Sequence, residues 1–321
     1  MKIEKTNDEK DILIRMNMLR GMLALVVMLS HIWGYTGLVF LVPFNKVVTI
    51  AVAFFFFLSG YGMYVSSSIK KGYLKSILLN KIPYLLWMSI LAYFFSAIME
   101  TVLINNQDKK VFSPISIYNF FNTTNWYVYE LLGFYVLFVL VMKFVNDKYR
   151  LMVILVVSVI AFVCLFYSGL VEAYYNSIIG FWIGMYCGRK GCINMLDKHT
   201  KGYLLGWVIL ILSFAAMFVL DKQSLAFAAI RNAAAVGALI AVLYMIRYLR
   251  LDLKILKLLS STSPELYFYH MPIALILSFI FENAYIYMAL VIVSSYVVAF
   301  IIHPINTKVQ KTIKGALKNE A

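Results

Sequence analysis

Four ionisable side chains stand inside otherwise apolar stretches of this sequence, His31, Glu130, Arg231 and His270, and a fifth, Arg20, sits at the edge of one. An ionisable group at the centre of a membrane helix costs about 2.5–3.5 kcal/mol on insertion scales, so each of these positions asks for a reason. Arg20 and His31 are eleven positions apart. On a helix that spacing returns to nearly the same face about 16 Å further on. Asn17, Arg20, Ala24, Val27 and His31 then form one stripe, small residues lie between its polar ends, and Gly21 lets a neighbour come close. A His, with a pKa of about 6.5, can take a hydroxyl proton near neutral pH while that oxygen attacks a thioester. An Arg at the membrane edge suits a phosphate. The alternative is plainer: Arg20 as a positively charged anchor at the membrane surface, His31 as an interhelical hydrogen-bonding residue.

The elements that must carry these groups follow from composition. Of 321 residues, 63% are hydrophobic and only 14% charged, and the mean hydropathy is +0.83. A soluble domain is about half apolar and a quarter charged, so this chain belongs in lipid. A bilayer core takes about 20 apolar residues per helix. Stretches of that kind occupy roughly 18–40, 47–66, 82–104, 124–145, 151–170, 174–188, 203–220, 225–247, 264–281 and 284–303, the sixth being the shortest. The expected fold is all-α, a polytopic transmembrane bundle of about ten helices without a second domain. The first apolar segment is longer than a signal-peptide core and no small-residue cleavage site follows, so it is expected to stay as the first helix. Cys164, Cys187 and Cys192 have neither a disulfide framework nor a metal-binding spacing, and no metal site is expected.

The formal charge of +14 raises the question of nucleic acid, but its distribution points to topology. With ten spans, 24 of the 29 Lys and Arg residues fall on one side, four (Lys46, Lys109, Lys110 and Lys222) on the other, and Arg231 within a span. An odd error in the helix count would scramble that division. Both termini are therefore expected in the cytoplasm, with the polar loop 105–123 outside, either covering an opening or simply connecting two helices.

Counted from the helix ends, Glu130 and Arg231 each enter from the outer side by about 9 Å, and His31 lies at a similar depth. Three costly groups at one level suggest one cavity, in which Arg231 pairs with Glu130 beside His31 and steadies a developing oxyanion while Glu130 orients His31 or a hydroxyl. Alternatively, Arg231 reaches outward to the interface and Glu130 is protonated or bonded to backbone. Ser59 and Gly60 sit near mid-depth, where a helix or an acyl chain can approach. Trp126 lies at the outer end of the fourth span, where an aromatic belt also places Trp. Ser263-Pro264-Glu265 has the form of a helix start, which puts Tyr267 and His270 on one inward face. His199 and His303 are expected at the solvated or interfacial ends.

Arg15-Met-Asn-Met-Leu-Arg20-Gly-Met-Leu-Ala24, running on to Ser30-His31, resembles the opening signature of the acyltransferase-3 family of integral membrane sugar O-acyltransferases. Phe54-Phe-Phe-Phe-Leu-Ser59-Gly60-Tyr61 is similar to its second-helix element, and Asn125-Trp126-Tyr127 with Tyr135 to its Trp element. Ser263-Pro-Glu-Leu-Tyr267-Phe-Tyr-His270-Met-Pro272 is similar to its late Ser…Tyr-x-x-His-x-Pro element. Four elements in family order, spread over nearly the whole chain, are far more specific than any one. Two departures stand out: Asn17 where many members carry Asp, and Lys70, Lys71, Lys75 and Lys81 where they carry an Arg-rich stretch. Lys still attracts phosphate, without the bidentate fork of Arg.

The resemblance implies a transferase of the cell membrane that moves an acyl group, most simply acetyl from acetyl-CoA, to a hydroxyl of a sugar or surface polysaccharide. It holds no permanent cofactor, the partners are the lipid bilayer, acyl-CoA and the glycan, and no nucleic acid is involved. His31 is the expected general base, with Arg20, Glu130 and Arg231 in the catalytic group. Asn17, Lys75, Lys81, Ser59, Trp126, Tyr267 and His270 are expected to bind donor or acceptor. The domain layout is a cytoplasmic segment 1–17, a transmembrane acyltransferase domain 18–304 and a cytoplasmic tail 305–321. A transporter or flippase of polar substrates, or a non-catalytic assembly subunit, would use intramembrane charges differently.

Overall fold

The computed structural model describes residues 7–103, 126–191, 200–246 and 254–319. The expected outer loop 105–123, with Cys192 and His199, lies outside the described residues. Among the described residues the regular elements are helical and there is no strand. The main helices are α1 (Asn7–Thr36), α2 (Val42–Ile69), α3 (Ile82–Leu103), α4 (Trp126–Phe144), α5 (Arg150–Tyr167), α6 (Ile179–Lys190), α7 (Thr200–Met217), α8 (Leu225–Ile246), α9 (Lys254–Ser261), α10 (Ser263–Ser278) and α11 (Ala284–Asn319).

Each of the ten apolar segments of the sequence holds a helix, but seven are long and apolar enough to cross a bilayer: α1, α2, α3 with the turns before it, α4, α5, α8 and α11. The exceptions are α6, α7 and α10. With 12 residues, α6 rises about 18 Å, and α10, with 16, about 24 Å, against a hydrocarbon core of about 30 Å. The sixth segment starts late because its first residues bond elsewhere. Ser177 Oγ donates to the Thr49 carbonyl at 3.2 Å, and Asn176 Nδ2 to Glu172 Oε2 at 3.4 Å, so a 3-10 turn at Glu172–Tyr174 precedes the helix. Helix formation also runs past the expected domain boundaries. Residues from Asn7 belong to α1, and α11 continues 36 residues to Asn319, through the segment expected as a tail. Before α3 the chain makes a π turn at Ile77–Lys81. Pro83 lacks the N–H that would reach Leu79, and a wider turn is the local answer.

The described chain falls into two compact units. The first comprises Met1–Arg20, Val47–Leu74 and Val136–Lys257. Within it, α2 and α6 touch backbone to backbone: a Cβ added at Gly60 would stand 2.1 Å from the Phe181 carbonyl oxygen, and one at Gly184 2.1 Å from that of Phe57. Without a hydrophobic drive between helices in lipid, such small-residue contacts hold membrane helices together. The Phe54–Phe57 run supplies buried core here, with Phe55 partly exposed. Arg15 Nη1 reaches the Ile246 carbonyl at 3.5 Å, and Asp147 joins Arg150 and Arg189 at 2.9 and 2.8 Å.

The second unit comprises Gly21–Lys46, Lys75–Tyr135 and Leu258–Ala321. Its core is Met88 and Ala92 of α3, Val128 of α4, and Phe268, Tyr269 and Ile273 of α10. Gly21 lies so close to α9 that an added Cβ would meet Leu259 carbon atoms at 2.6–2.7 Å. That close approach agrees with the sequence reading of Gly21.

Candidate functional site

The polar groups of the second unit converge on α10. Its buried His270, 2% exposed, has Nδ1 at 2.9 Å from the Leu266 carbonyl. A carbonyl only accepts, so Nδ1 carries the proton of the neutral ring and Nε2 keeps its lone pair. That Nε2 is buried and has no hydrogen-bond partner among the described residues. Two residues on, Pro272 lies inside the helix. It removes the N–H that would bond Phe268 and loosens the backbone ladder at this turn.

Half-buried His31, on α1, brings its ring to the ring of His270, with centroids 5.2 Å apart and planes tilted by 37°. The Tyr267 ring lies 6.0 Å from that of His270, and the Tyr127 ring packs edge-on against Tyr267 at 5.1 Å. Trp126 meets Tyr127 at 6.2 Å. Residues from α1, α4 and α10, more than a hundred positions apart in places, therefore make one aromatic and imidazole row ending on His31. Three of the four motif elements read from the sequence contribute to it.

Glu130 follows Tyr127 by one turn of α4, and both carboxylate oxygens are buried without a hydrogen-bond partner among the described residues. Arg231, the expected partner of Glu130, belongs to the first unit. Arg231 Nη1 instead pairs with Glu172 Oε2, and its Nη2 reaches Thr49 Oγ1 at 3.3 Å. The neighbouring Asn232 donates to the Tyr175 carbonyl at 2.8 Å. Glu172 lies in the 3-10 turn just before α6, outside every apolar segment, so a search confined to intramembrane charges passes over it. Arg231 is thereby engaged by a turn of its own unit.

The remaining candidates divide. Lys81 lies over the Tyr135 ring at 5.6 Å, and Lys75 is exposed one turn and a half earlier, both at the entrance to α3. Arg20 is half-buried on α1, with Nε unpartnered among the described residues, and Asn17 is exposed. Partly buried Ser59 and buried Gly60 sit on α2, where Gly60 is spent on the contact with α6. Buried polar contacts also join α3, α10 and α11. Glu265, 1% exposed, accepts from Asn306 Nδ2 at 3.2 Å and lies 3.2 Å from His303 Nδ1, while Trp87 Nε1 donates to Asn306 Oδ1 at 3.2 Å. His303, expected at a solvated or interfacial end, is partly exposed and also faces this buried carboxylate. The signal was available: a Glu, an Asn and a His within apolar context on the last two helices. Among the described residues no group of three His, Cys, Asp or Glu is placed to hold a metal.

The family's sequence pattern, described as an acyltransferase domain, matches residues 13–303. The chain belongs to the acyltransferase-3 family. The match runs from the first helix, ahead of Arg15, to His303 on the last, and so takes in every site residue expected from the sequence. No curated protein and no solved structure matches the chain. With its seven bilayer-length apolar helices, this member of the family is a membrane acyltransferase.

Proposed function

We propose that this acyltransferase moves an acyl group, most simply acetyl, from acyl-CoA to a hydroxyl of a sugar or surface polysaccharide, with His31 as general base. The observation that carries the reading is the contact of the His31 and His270 rings in a chain of this family. His31 takes the proton of the acceptor hydroxyl as its oxygen attacks the thioester carbonyl. The tetrahedral intermediate collapses, the C–S bond breaks, and CoA leaves as thiolate to be protonated from the imidazolium. His270, fixed through Nδ1 by the Leu266 carbonyl, positions the His31 ring, and Tyr267 and Trp126 line the approach. Glu130 orients His31 or an acceptor hydroxyl. Arg20, Lys75 and Lys81, with Asn17, attract the CoA phosphates; Ser59 borders the acyl path. Arg231, held by Glu172, takes no part in the chemical step.

The topology proposed with this function has ten membrane passes in the cell membrane, both termini in the cytoplasm, and the donor entering from there. Support comes from the 24-to-4 division of positive residues. The deciding experiment is mass spectrometry of surface glycans from cells with the gene, without it, and with His31→Ala. Acyl groups that vanish with the gene and stay absent in the variant, at normal membrane levels of protein, are the expected outcome. Glycans identical in all three would refute the function, and full acylation by His31→Ala would refute the base.

A further inference from the structure

One turn beyond the histidines the second unit opens. His31 is followed on α1 by Tyr35, four residues and about 6 Å further along the axis. On the neighbouring helices, α10 ends at Ser278 and α11 begins at Ala284. A cavity of about 260 Å³ lies at this end of the three helices, lined by Tyr35, Thr36, Ser278, Glu282 and Tyr287 together with Phe281 and Ala284.

Its inner wall is built rather than incidental. The buried Tyr287 donates its hydroxyl to the Ala274 carbonyl at 3.0 Å, tying the start of α11 to α10 one turn beyond His270. The Tyr35 ring stands 6.0 Å from that of Tyr287, tilted by 53°. Thr36 and Ser278 donate their hydroxyl protons to the carbonyls of Ile32 and Leu275, at 2.8 and 2.7 Å; Thr36 Oγ1 also accepts from the Leu38 N–H at 3.4 Å, so Ser278 is the hydroxyl whose oxygen keeps its lone pairs for a ligand. Glu282 is exposed at the rim and makes no ion pair with a described residue.

We infer that this cavity is the docking site of the acceptor and takes one uncharged sugar ring. The inference rests on the function proposed above and names where its second substrate binds. The chemistry of the wall selects that class. The exposed Tyr35 ring offers its face to the C–H face of a pyranose, while the Glu282 carboxylate and the Ser278 hydroxyl oxygen accept hydrogen bonds from its hydroxyls. A phosphate or carboxylate group would meet the Glu282 charge. At about 260 Å³ the cavity is smaller than the usual small-molecule site of about 300 Å³ upward, so it takes no more than a single ring and the rest of a glycan must trail outside. A ring seated against Tyr35 presents an inward hydroxyl toward His31, one helical turn away. That distance must close to about 2.6–3.2 Å for His31 to act as the base.

The test is complementation of cells lacking the gene with the wild type, Glu282→Gln and Tyr35→Ala, scoring acyl occupancy of the surface glycan by mass spectrometry and membrane levels by immunoblot. Calorimetry of each purified protein with CoA reports the donor side. Occupancy lowered tenfold or more in both variants, with normal protein levels and unchanged CoA affinity, is expected. Full occupancy in both variants, where deletion of the gene abolishes acylation, overturns the acceptor site and leaves the function standing. Loss of CoA binding alongside loss of occupancy also overturns it, since the change would then be structural. Glycans unaltered by deletion overturn the function itself and the acceptor assignment with it.

Discussion

Removing the two histidines singly and together discriminates a catalytic unit from two independent residues. General acid–base assistance contributes about 10²–10⁴-fold, equivalent to about 2.7–5.4 kcal/mol at 1.36 kcal/mol per tenfold. The two rings stand 5.2 Å apart, and His270 is locked by its 2.9 Å contact with Leu266. If His270 acts by holding the His31 ring, its loss and that of His31 remove the same contribution. His31→Ala is then expected to lower the rate by about 10²–10⁴-fold, His270→Ala by no more than that, and the double variant to within about tenfold of His31→Ala. Independent contributions would instead multiply, and the coupling energy of the cycle would vanish. The assay is the initial rate of transfer of labelled acetyl from acetyl-CoA into the glycan fraction of membranes, normalised to protein amount. Multiplicative losses would refute the paired arrangement, as would a His31→Ala rate within tenfold of wild type.

On the donor side, substitution of Arg20, Lys75 and Lys81 by Gln should raise the KM for acetyl-CoA several-fold and flatten its rise with ionic strength; an unchanged KM would place the phosphates elsewhere. Arg231→Gln and Glu172→Gln should resemble one another, with a small loss of thermal stability and near-normal transfer rates. The partly exposed pair is screened and worth less than about 1 kcal/mol; a hundredfold fall in rate for Arg231→Gln alone would return it to the chemistry. Gly60→Val should cost about 1–3 kcal/mol by overpacking, because its added atoms meet the Phe181 carbonyl and not a yielding side chain. An unshifted melting temperature would contradict the α2–α6 contact. Reporter fusions at residues 105–123 should read extracytoplasmic, and a cytoplasmic signal there would reverse the topology.

The apolar segments determined by themselves that the chain is helical and where most helices lie, because hydropathy and segment length are local properties. Gly21 was also legible: a residue without a side chain beside a polar stripe invites a neighbour, and α9 supplies it. The family signature singled out His31, Trp126, Tyr267 and His270 in the same way, as residue types at fixed spacing. What spacing within one helix could not decide is which residue of another helix it meets. Depth below the surface put Glu130 and Arg231 at one level, but level says nothing of rotation about the helix axis. Arg231 found its partner in Glu172, in a turn that the apolar pattern leaves out. Rotation and tilt likewise decided that His303 faces Glu265 and that Tyr127 meets Tyr267. Those pairings come from side chains packing across helices distant in the sequence, so they exist only once the tertiary fold has chosen which faces meet.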